Sequence, residues 1–143
     1  MRASGILLHI SSLPSDYGIG TLGREAYNFI DFLKEAGQSY WQILPVCPTS
    51  YGDSPYQSFS TYAGNPYFID FELLKKDGLL IEADYEGIDW GDNPEYADYE
   101  KLYNNRFDVL KRAYKRFCDR DKTDFYRFLD DNERWISNYA LFT

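Results

Sequence analysis

Residues 5–45, GILLHISSLPSDYGIGTLGREAYNFIDFLKEAGQSYWQILP, hold two apolar runs on either side of one amphipathic helix pattern. Gly5–Ile10 is apolar except at His9 and is bounded by glycine and by Ser11-Ser-Leu-Pro14, which predicts a strand buried on both faces. From Thr21, read as an N-cap, Leu22, Ala26, Phe29, Ile30, Leu33 and Ala36 recur at helical spacing until Gly37 stops the helix. Tyr40–Leu44 then gives a second bulky run ended by Pro45. Strand, helix, strand assembles most simply as a right-handed parallel βαβ unit. Both strands then end at one edge, where parallel α/β folds keep their ligand sites.

Working outward, Tyr67–Phe71 reads as extended, and Glu72–Asp77 as a short helix stopped at Gly78. Leu79–Asp92 is acidic and irregular. Tyr96, Tyr99, Tyr103, Leu110, Ala113, Tyr114 and Phe117 follow a helical period, with Glu100, Lys101, Arg106, Lys111 and Lys115 elsewhere on the cylinder. Thr123 is expected to cap a short helix carrying Phe125, Phe128 and Leu129, and Trp135, Ile136, Tyr139 and Ala140 open another helical pattern. That pattern runs to Thr143 with no polar tail, the expectation for the front of a longer protein.

A formal charge of -8 and a pI near 4.6 oppose nucleic acid and anionic membrane as partners, because phosphate binding needs Lys and Arg to release counterions. A neutral ligand fits better. Ile6–Ile10 is too short for a signal peptide or a membrane span, which makes the cytoplasm the expected compartment. Cys47 and Cys118 have neither a CxxC spacing nor a histidine cluster beside them, so no metal and no disulfide framework is expected. No cofactor is expected either: Gly18-Ile-Gly20 and Gly23 lack the full dinucleotide fingerprint.

The loop Pro45–Tyr67, PVCPTSYGDSPYQSFSTYAGNPY, concentrates proline, tyrosine, serine and glycine after the second strand. Its prolines restrict the backbone, and its tyrosines present large amphipathic faces with two torsions each to freeze. Such a surface suits a sugar, whose C–H face stacks on phenol rings while its hydroxyls meet Ser and Asp oxygens. Asp53 is the best local carboxylate, but glycosidic chemistry needs two carboxyl groups, and Asp53 has no evident partner. Asp70 and Glu72, two apart, read as structural. His9 reads first as a hydrogen-bonded histidine of the core or under a loop, although its place at a strand end permits a site role. Ser11 and Ser12 lack a nucleophile elbow and read as turn residues.

GILLHISSLPS (5–15), YGIGTLG (17–23), AGQSYWQILPV (36–46) and above all PTSYGDSPYQSFSTYAGNPY (48–67) resemble the N-terminal part of bacterial amylomaltases, which are 4-alpha-glucanotransferases. The likeness continues more weakly through FELLKKDGLL (71–80) and DYEKLY (98–103) and revives at ERWISNYALF (133–142). It implies the N-terminal portion of a (β/α)₈ TIM barrel with an inserted, mainly helical segment. The barrel is incomplete, since a whole one needs about 250 residues. Residues 1–71 are then the first βαβ unit of the barrel plus a glucan-binding loop. Residues 72–143 are the mainly helical insertion and the start of a truncated helix.

The resemblance also implies transfer of α-1,4-glucan segments between maltooligosaccharides by a retaining double displacement, with an aspartate nucleophile and a glutamate acid/base. Those carboxylates belong to later barrel strands, so no catalytic residue is assigned here and the 143 residues alone are expected to be inactive. The implied substrate-binding residues are Ser54 and Tyr56 on the donor side of the active-site groove, Asp53 shaping their turn, and Tyr51 with Tyr103 at a second glucan contact. Exposed barrel edges are expected to promote self-association. The alternatives are a non-catalytic α-glucan-binding module and a Tyr-rich protein-interaction domain.

Overall fold

A computed structural model describes residues 2–93 and 95–143; Met1, where the signal-peptide reading begins, lies outside them. β1 (Gly5–Leu7) and β2 (Tyr40–Gln42) pair in parallel, Gly5 opposite Tyr40 and Leu7 opposite Gln42, with α1 (Arg24–Glu35) as their crossover. The Leu8 N–H adds a bond to the Gln42 carbonyl at 3.0 Å, and the Trp41 indole donates to the Leu8 carbonyl at 2.7 Å. The expected βαβ unit is therefore present. Its first strand is shorter than the apolar run, because Ile10–Ser12 turns into a 3₁₀ helix. Nor is the strand buried on both faces: Leu7 and Tyr40 are exposed, since among the described residues the sheet has two strands and no layer over its outer side.

The start of α1 differs from its prediction in an informative way. Gly23, not Thr21, is the N-cap, and the Thr21 hydroxyl instead donates to Asp70 Oδ2 at 2.6 Å. A Cβ on Gly23 would sit 1.9 Å from that same carboxylate oxygen, so the close approach of Asp70 requires glycine there. Asp70 also caps α2 (Phe71–Lys76), accepting from the Leu73 N–H at 2.9 Å. One carboxylate thus joins the starts of two helices, where the positive helix ends favour it. Tyr67 and Phe68, predicted extended, lie in a 3₁₀ turn over Pro66–Phe68, because Asn65 accepts from the Tyr67 N–H at 2.9 Å and the Pro66 ring fixes its own φ at the first position of the turn.

α3 (Tyr99–Cys118) forms where the periodicity predicts a helix, but Asp98 caps it by accepting from the Lys101 N–H, so that Tyr96 lies outside it, and it buries a different stripe. Leu102, Arg106, Val109 and Ala113 face the core, while Tyr103 and Tyr114 are exposed. Arg106, expected on the polar side, is 0% exposed. Its guanidinium donates to the Ile69 carbonyl at 2.6 Å and to the Tyr17 carbonyl at 3.4 Å, and lies 4.3 Å from the centre of the Phe71 ring. Carbonyl oxygens and a ring face replace part of its lost hydration. Burial still draws its pKa down to about 10.

Further along, Arg112 and Arg116 stand on one face of α3, four apart, and Arg120 follows just past its end. They donate to the carbonyls of Asp84, of Leu79, and of Asp77 and Gly78 respectively. Arg116 also grips the Asp84 carboxylate through both terminal nitrogens, at 2.6 and 3.1 Å. The acidic segment after α2 is irregular, as expected, yet these cations hold it against the helix. α4 (Thr123–Asp131) and α5 (Glu133–Phe142) complete the chain. Lys122, not Thr123, is the N-cap of α4 and makes no side-chain cap, while Asp121 accepts from the Thr123 N–H at 3.0 Å and from the Thr123 hydroxyl at 2.7 Å. α5 returns to the tyrosine-rich loop: Trp135 stacks on Tyr62 and Tyr139 on Phe59, with centroids 5.7 and 6.1 Å apart.

Candidate functional site

The loop after β2 is organised by its own backbone. The Asn65 N–H donates to the Val46 carbonyl at 2.8 Å and closes its base. Within it, the Ser50 N–H reaches the Gln57 carbonyl, the Asp53 N–H the Ser50 carbonyl, and the Gln57 N–H the Ser54 carbonyl, at 3.0 to 3.2 Å. Asp53 sits at φ +54, a left-handed conformation that Asp tolerates because its short side chain bonds locally. Here that oxygen accepts from the Thr49 hydroxyl at 3.4 Å. The Ser58 and Ser60 hydroxyls likewise accept from nearby main-chain N–H groups.

Where the two strands end, the segments that follow them enclose a cavity of about 190 Å³. His9, Ser11 and Ser12 contribute from the first strand's side, and Leu44, Thr49 and Asp53 from the second. His9 is held on two sides: its Nδ1 accepts from the Leu44 N–H at 3.3 Å, and its ring meets Phe68 edge-on at 5.3 Å. Burial lowers its pKa, so the imidazole at neutral pH is uncharged. A wider groove of about 1210 Å³ opens beside the cavity, walled by Tyr51, Tyr67, Tyr99, Tyr103 and Phe107 and by the end of α5. Thr49, Asp53, Asn65, Tyr67 and Tyr99 line both spaces and divide them.

Charge in the dividing wall comes from Asp53. Burial first, then the Asp53 carboxylate, push the Tyr67 phenol up to about 12, and the same two causes raise Tyr99. Both phenols therefore stay protonated at neutral pH and can donate as well as accept. The dividing wall offers ring faces, neutral hydroxyls, one amide and the Asp53 carboxylate, with Glu100 a second carboxylate along the wide groove, a set suited to a neutral polyhydroxylated ligand. Of the lining residues of the small cavity, Asp53 is the one carboxylate, so the acid/base pair of glycosidic cleavage is not assembled there. Among the described residues, no group of three or more His, Cys, Asp or Glu side chains could hold a metal ion.

The sequence-derived candidates divide into two sets. Tyr51, Asp53 and Tyr103 converge on the wide groove, Tyr51 fully exposed at 100%. Ser54 and Tyr56 line neither space: Ser54 Oγ accepts from the Tyr56 N–H at 3.4 Å, and the Tyr56 ring projects into solvent on the loop's shoulder. Thr49, Asn65, Tyr67 and Tyr99 were not singled out as site residues from sequence. Asn65-Pro66, a capping pair before an aromatic, was the available signal for the turn that presents Tyr67. Asp70 and Glu72 are structural, as read: Glu72 accepts from the hydroxyls of Tyr17 and Tyr85 at 2.5 and 3.1 Å.

Comparison with known proteins bears on this geometry. A family model described as 4-alpha-glucanotransferase matches residues 8–143. A 4-alpha-glucanotransferase of Clostridium butyricum is 54% identical over 135 residues, 94% of this chain and 28% of that protein. One from Thermus thermophilus is 47% identical over 145 residues, 99% of this chain and 28% of that protein. The solved amylomaltase from Streptococcus agalactiae, in complex with acarbose, superimposes with a TM-score of 0.92 at 50% identity, covering 98% of this chain and 28% of that one. The chain thus spans little more than a quarter of the length of the relatives it matches.

Proposed function

Because this chain belongs to the 4-alpha-glucanotransferase family, we propose that it builds one wall of the α-glucan groove of an enzyme that moves α-1,4-glucan segments between maltooligosaccharides. In the retaining scheme, a carboxylate attacks C1 of the donor sugar while a carboxylic acid protonates the departing 4-oxygen. The 4-hydroxyl of an acceptor glucan then attacks C1, releasing the enzyme carboxylate and giving its proton to the base. The residues described here bind and orient; the nucleophile and the acid/base are assigned to the part of the relatives that this chain does not match.

The observation that carries this reading is the tyrosine-walled groove with Asp53 at its dividing wall, open beside the paired strand ends. The binding of acarbose by the Streptococcus agalactiae protein supports a sugar ligand. Tyr51 and Tyr103 form a second glucan contact in this proposal, and Ser54 and Tyr56, on the shoulder, meet the donor sugar only when the opposing wall is present. Residues 1–71 are assigned to the first βαβ unit of a (β/α)₈ barrel and residues 72–143 to an inserted segment, the two sharing one core that includes Ile10, Phe71 and Val109.

The test is a titration of the 143-residue chain with maltotriose, followed residue by residue by amide NMR. Shifts at Tyr51, Asp53 and Tyr103 are expected; none at millimolar sugar would remove the glucan-binding reading. The chain alone is expected to release no glucose and form no longer maltodextrin, whereas disproportionation by the purified chain would overturn the assignment of catalysis elsewhere. Exposed Leu7 and Tyr40 on an uncovered sheet support self-association of the chain, which a monodisperse monomer in light scattering at high concentration would refute. Two free cysteines support a reducing, cytoplasmic setting; among the described residues no helix is long and apolar enough to cross a membrane.

A further inference from the structure

A second trough, of about 880 Å³, lies between the loop that follows β1 and the segment leading into α3. Asp16, Gly18 and Gly20 line one side; Trp90, Asp92 and Tyr96 line the other. It shares Ser11, Ser12, Ile19 and Tyr99 with the small cavity, so the two spaces adjoin across those residues. The wide groove also ends on Tyr99, which makes this ring the meeting point of all three.

The Gly18 and Trp90 part of the trough is held by the protein's own contacts. Gly18 lies at φ +77 so close to the facing segment that a Cβ there would sit 2.6 Å from the Trp90 carbonyl oxygen. The Trp90 ring is buried against Phe71 and Tyr17, with centroids 5.7 and 6.4 Å away. Asp89 ties the same segment to α3: its carboxylate pairs with Lys101 at 2.7 Å, and its carbonyl accepts from Asn105 at 3.1 Å. That part of the trough loses little conformational freedom on binding.

Its chemistry narrows the ligand. Asp16 and Asp92 form no ion pair among the described residues, so their oxygens remain available as acceptors. They repel phosphates and other anions, and no metal-binding group of side chains is assembled among the described residues. Acceptors that face neither anion nor metal match a neutral polyol with many hydroxyl donors. Tyr96, 73% exposed, adds a ring on which a pyranose can stack.

We propose that this trough binds further glucosyl units of an α-1,4-glucan whose other end occupies the cavity between His9 and Asp53. The inference rests on the glucan-binding reading above and extends the sugar's path past Tyr99. It follows that long maltooligosaccharides engage the trough and short ones do not.

Maltotriose and maltoheptaose titrations of the 143-residue chain, read by amide NMR, test this directly. Maltoheptaose is expected to shift Asp16, Gly18, Asp92 and Tyr96 as well as Asp53, and maltotriose to shift Asp53 alone of these. Tyr96→Ala is expected to raise the Kd for maltoheptaose about fivefold, the loss of one stacked ring, with maltotriose unchanged. Tyr96→Phe keeps the ring and should keep the affinity; its exposure lets thermal melts verify that both variants fold. Shifts at Asp53 with maltoheptaose but none in the trough would overturn this inference and leave the proposed function standing. Equal loss for both sugars in Tyr96→Ala would overturn it as well, and the absence of shifts everywhere would remove both readings.

Discussion

The tyrosine-rich loop and the packed layer beneath α3 use the same residue class for opposite ends. In the layer, Phe71 is 0% exposed and is surrounded by Tyr17, Tyr85 and Trp90 at centroid distances of 5.2 to 5.7 Å, with Arg106 over its face. In the loop, Tyr51 is exposed throughout, and the main chain is ordered by its own hydrogen bonds. A ring held by other rings contributes to stability through apolar burial, whereas a ring held out by an ordered backbone contributes little until a ligand covers it. Stability and binding should therefore separate between the two regions.

The largest contrast is expected from ring deletion. Phe71→Ala should cost about 3 to 5 kcal/mol in urea denaturation, from lost burial and the remaining cavity. Tyr51→Ala should change stability by less than about 0.5 kcal/mol while weakening maltooligosaccharide binding. Comparable losses of stability would break the comparison. Glycine offers a second contrast, because Gly18 and Gly52 both have positive φ, +77 and +94, but only Gly18 is crowded. Gly18→Ala should cost roughly 2 to 4 kcal/mol, strain plus a clash with the Trp90 carbonyl, and Gly52→Ala about 1 kcal/mol from strain alone.

The smallest contrast concerns acid. The hydrogen bond from Arg116 holds the Asp84 carboxyl below its usual range, outweighing the opposing effect of burial. A carboxyl depressed on folding stabilises the protein above the unfolded pKa, near 4, and that contribution is lost as pH falls through the folded value. The melting temperature should therefore drop by a few degrees from this cause as pH falls below about 4, and Asp84→Asn should flatten that part of the profile. Ser54→Ala, in the loop, should leave the profile unchanged. An identical acid profile in Asp84→Asn would remove the ion pair from the account.

How much of this was legible follows the range of each interaction. α1 and α3 were readable because helical periodicity is a local property of Leu22–Ala36 and Tyr99–Phe117. The parallel pairing of β1 and β2 followed from their separation by one helix. Arg106 was misplaced because nothing near it in sequence says that the carbonyls of Tyr17 and Ile69, 89 and 37 residues away, receive its guanidinium. Thr21 was misread for a related reason, since its partner Asp70 lies 49 residues on. In the site, Asp53 stands out in the sequence as the loop's best carboxylate, and Tyr51 and Tyr103 through the family resemblance, while Tyr67 and Tyr99 gain their places only where the turn at Asn65 and the start of α3 meet at the strand ends.

The sequence by itself determined the family, the βαβ start and the hydroxyl-rich aromatic character of the loop, because motif order, periodicity and composition are carried by residues close together in the chain. Only the tertiary structure decided that Tyr67 and Tyr99 join Tyr51 and Tyr103 along the groove, that Asp53 divides it from a cavity beside His9, and that a buried cation lies against the Phe71 ring. Those outcomes depend on contacts between segments tens of residues apart, whose free energy exists only once the intervening chain has been ordered and water displaced.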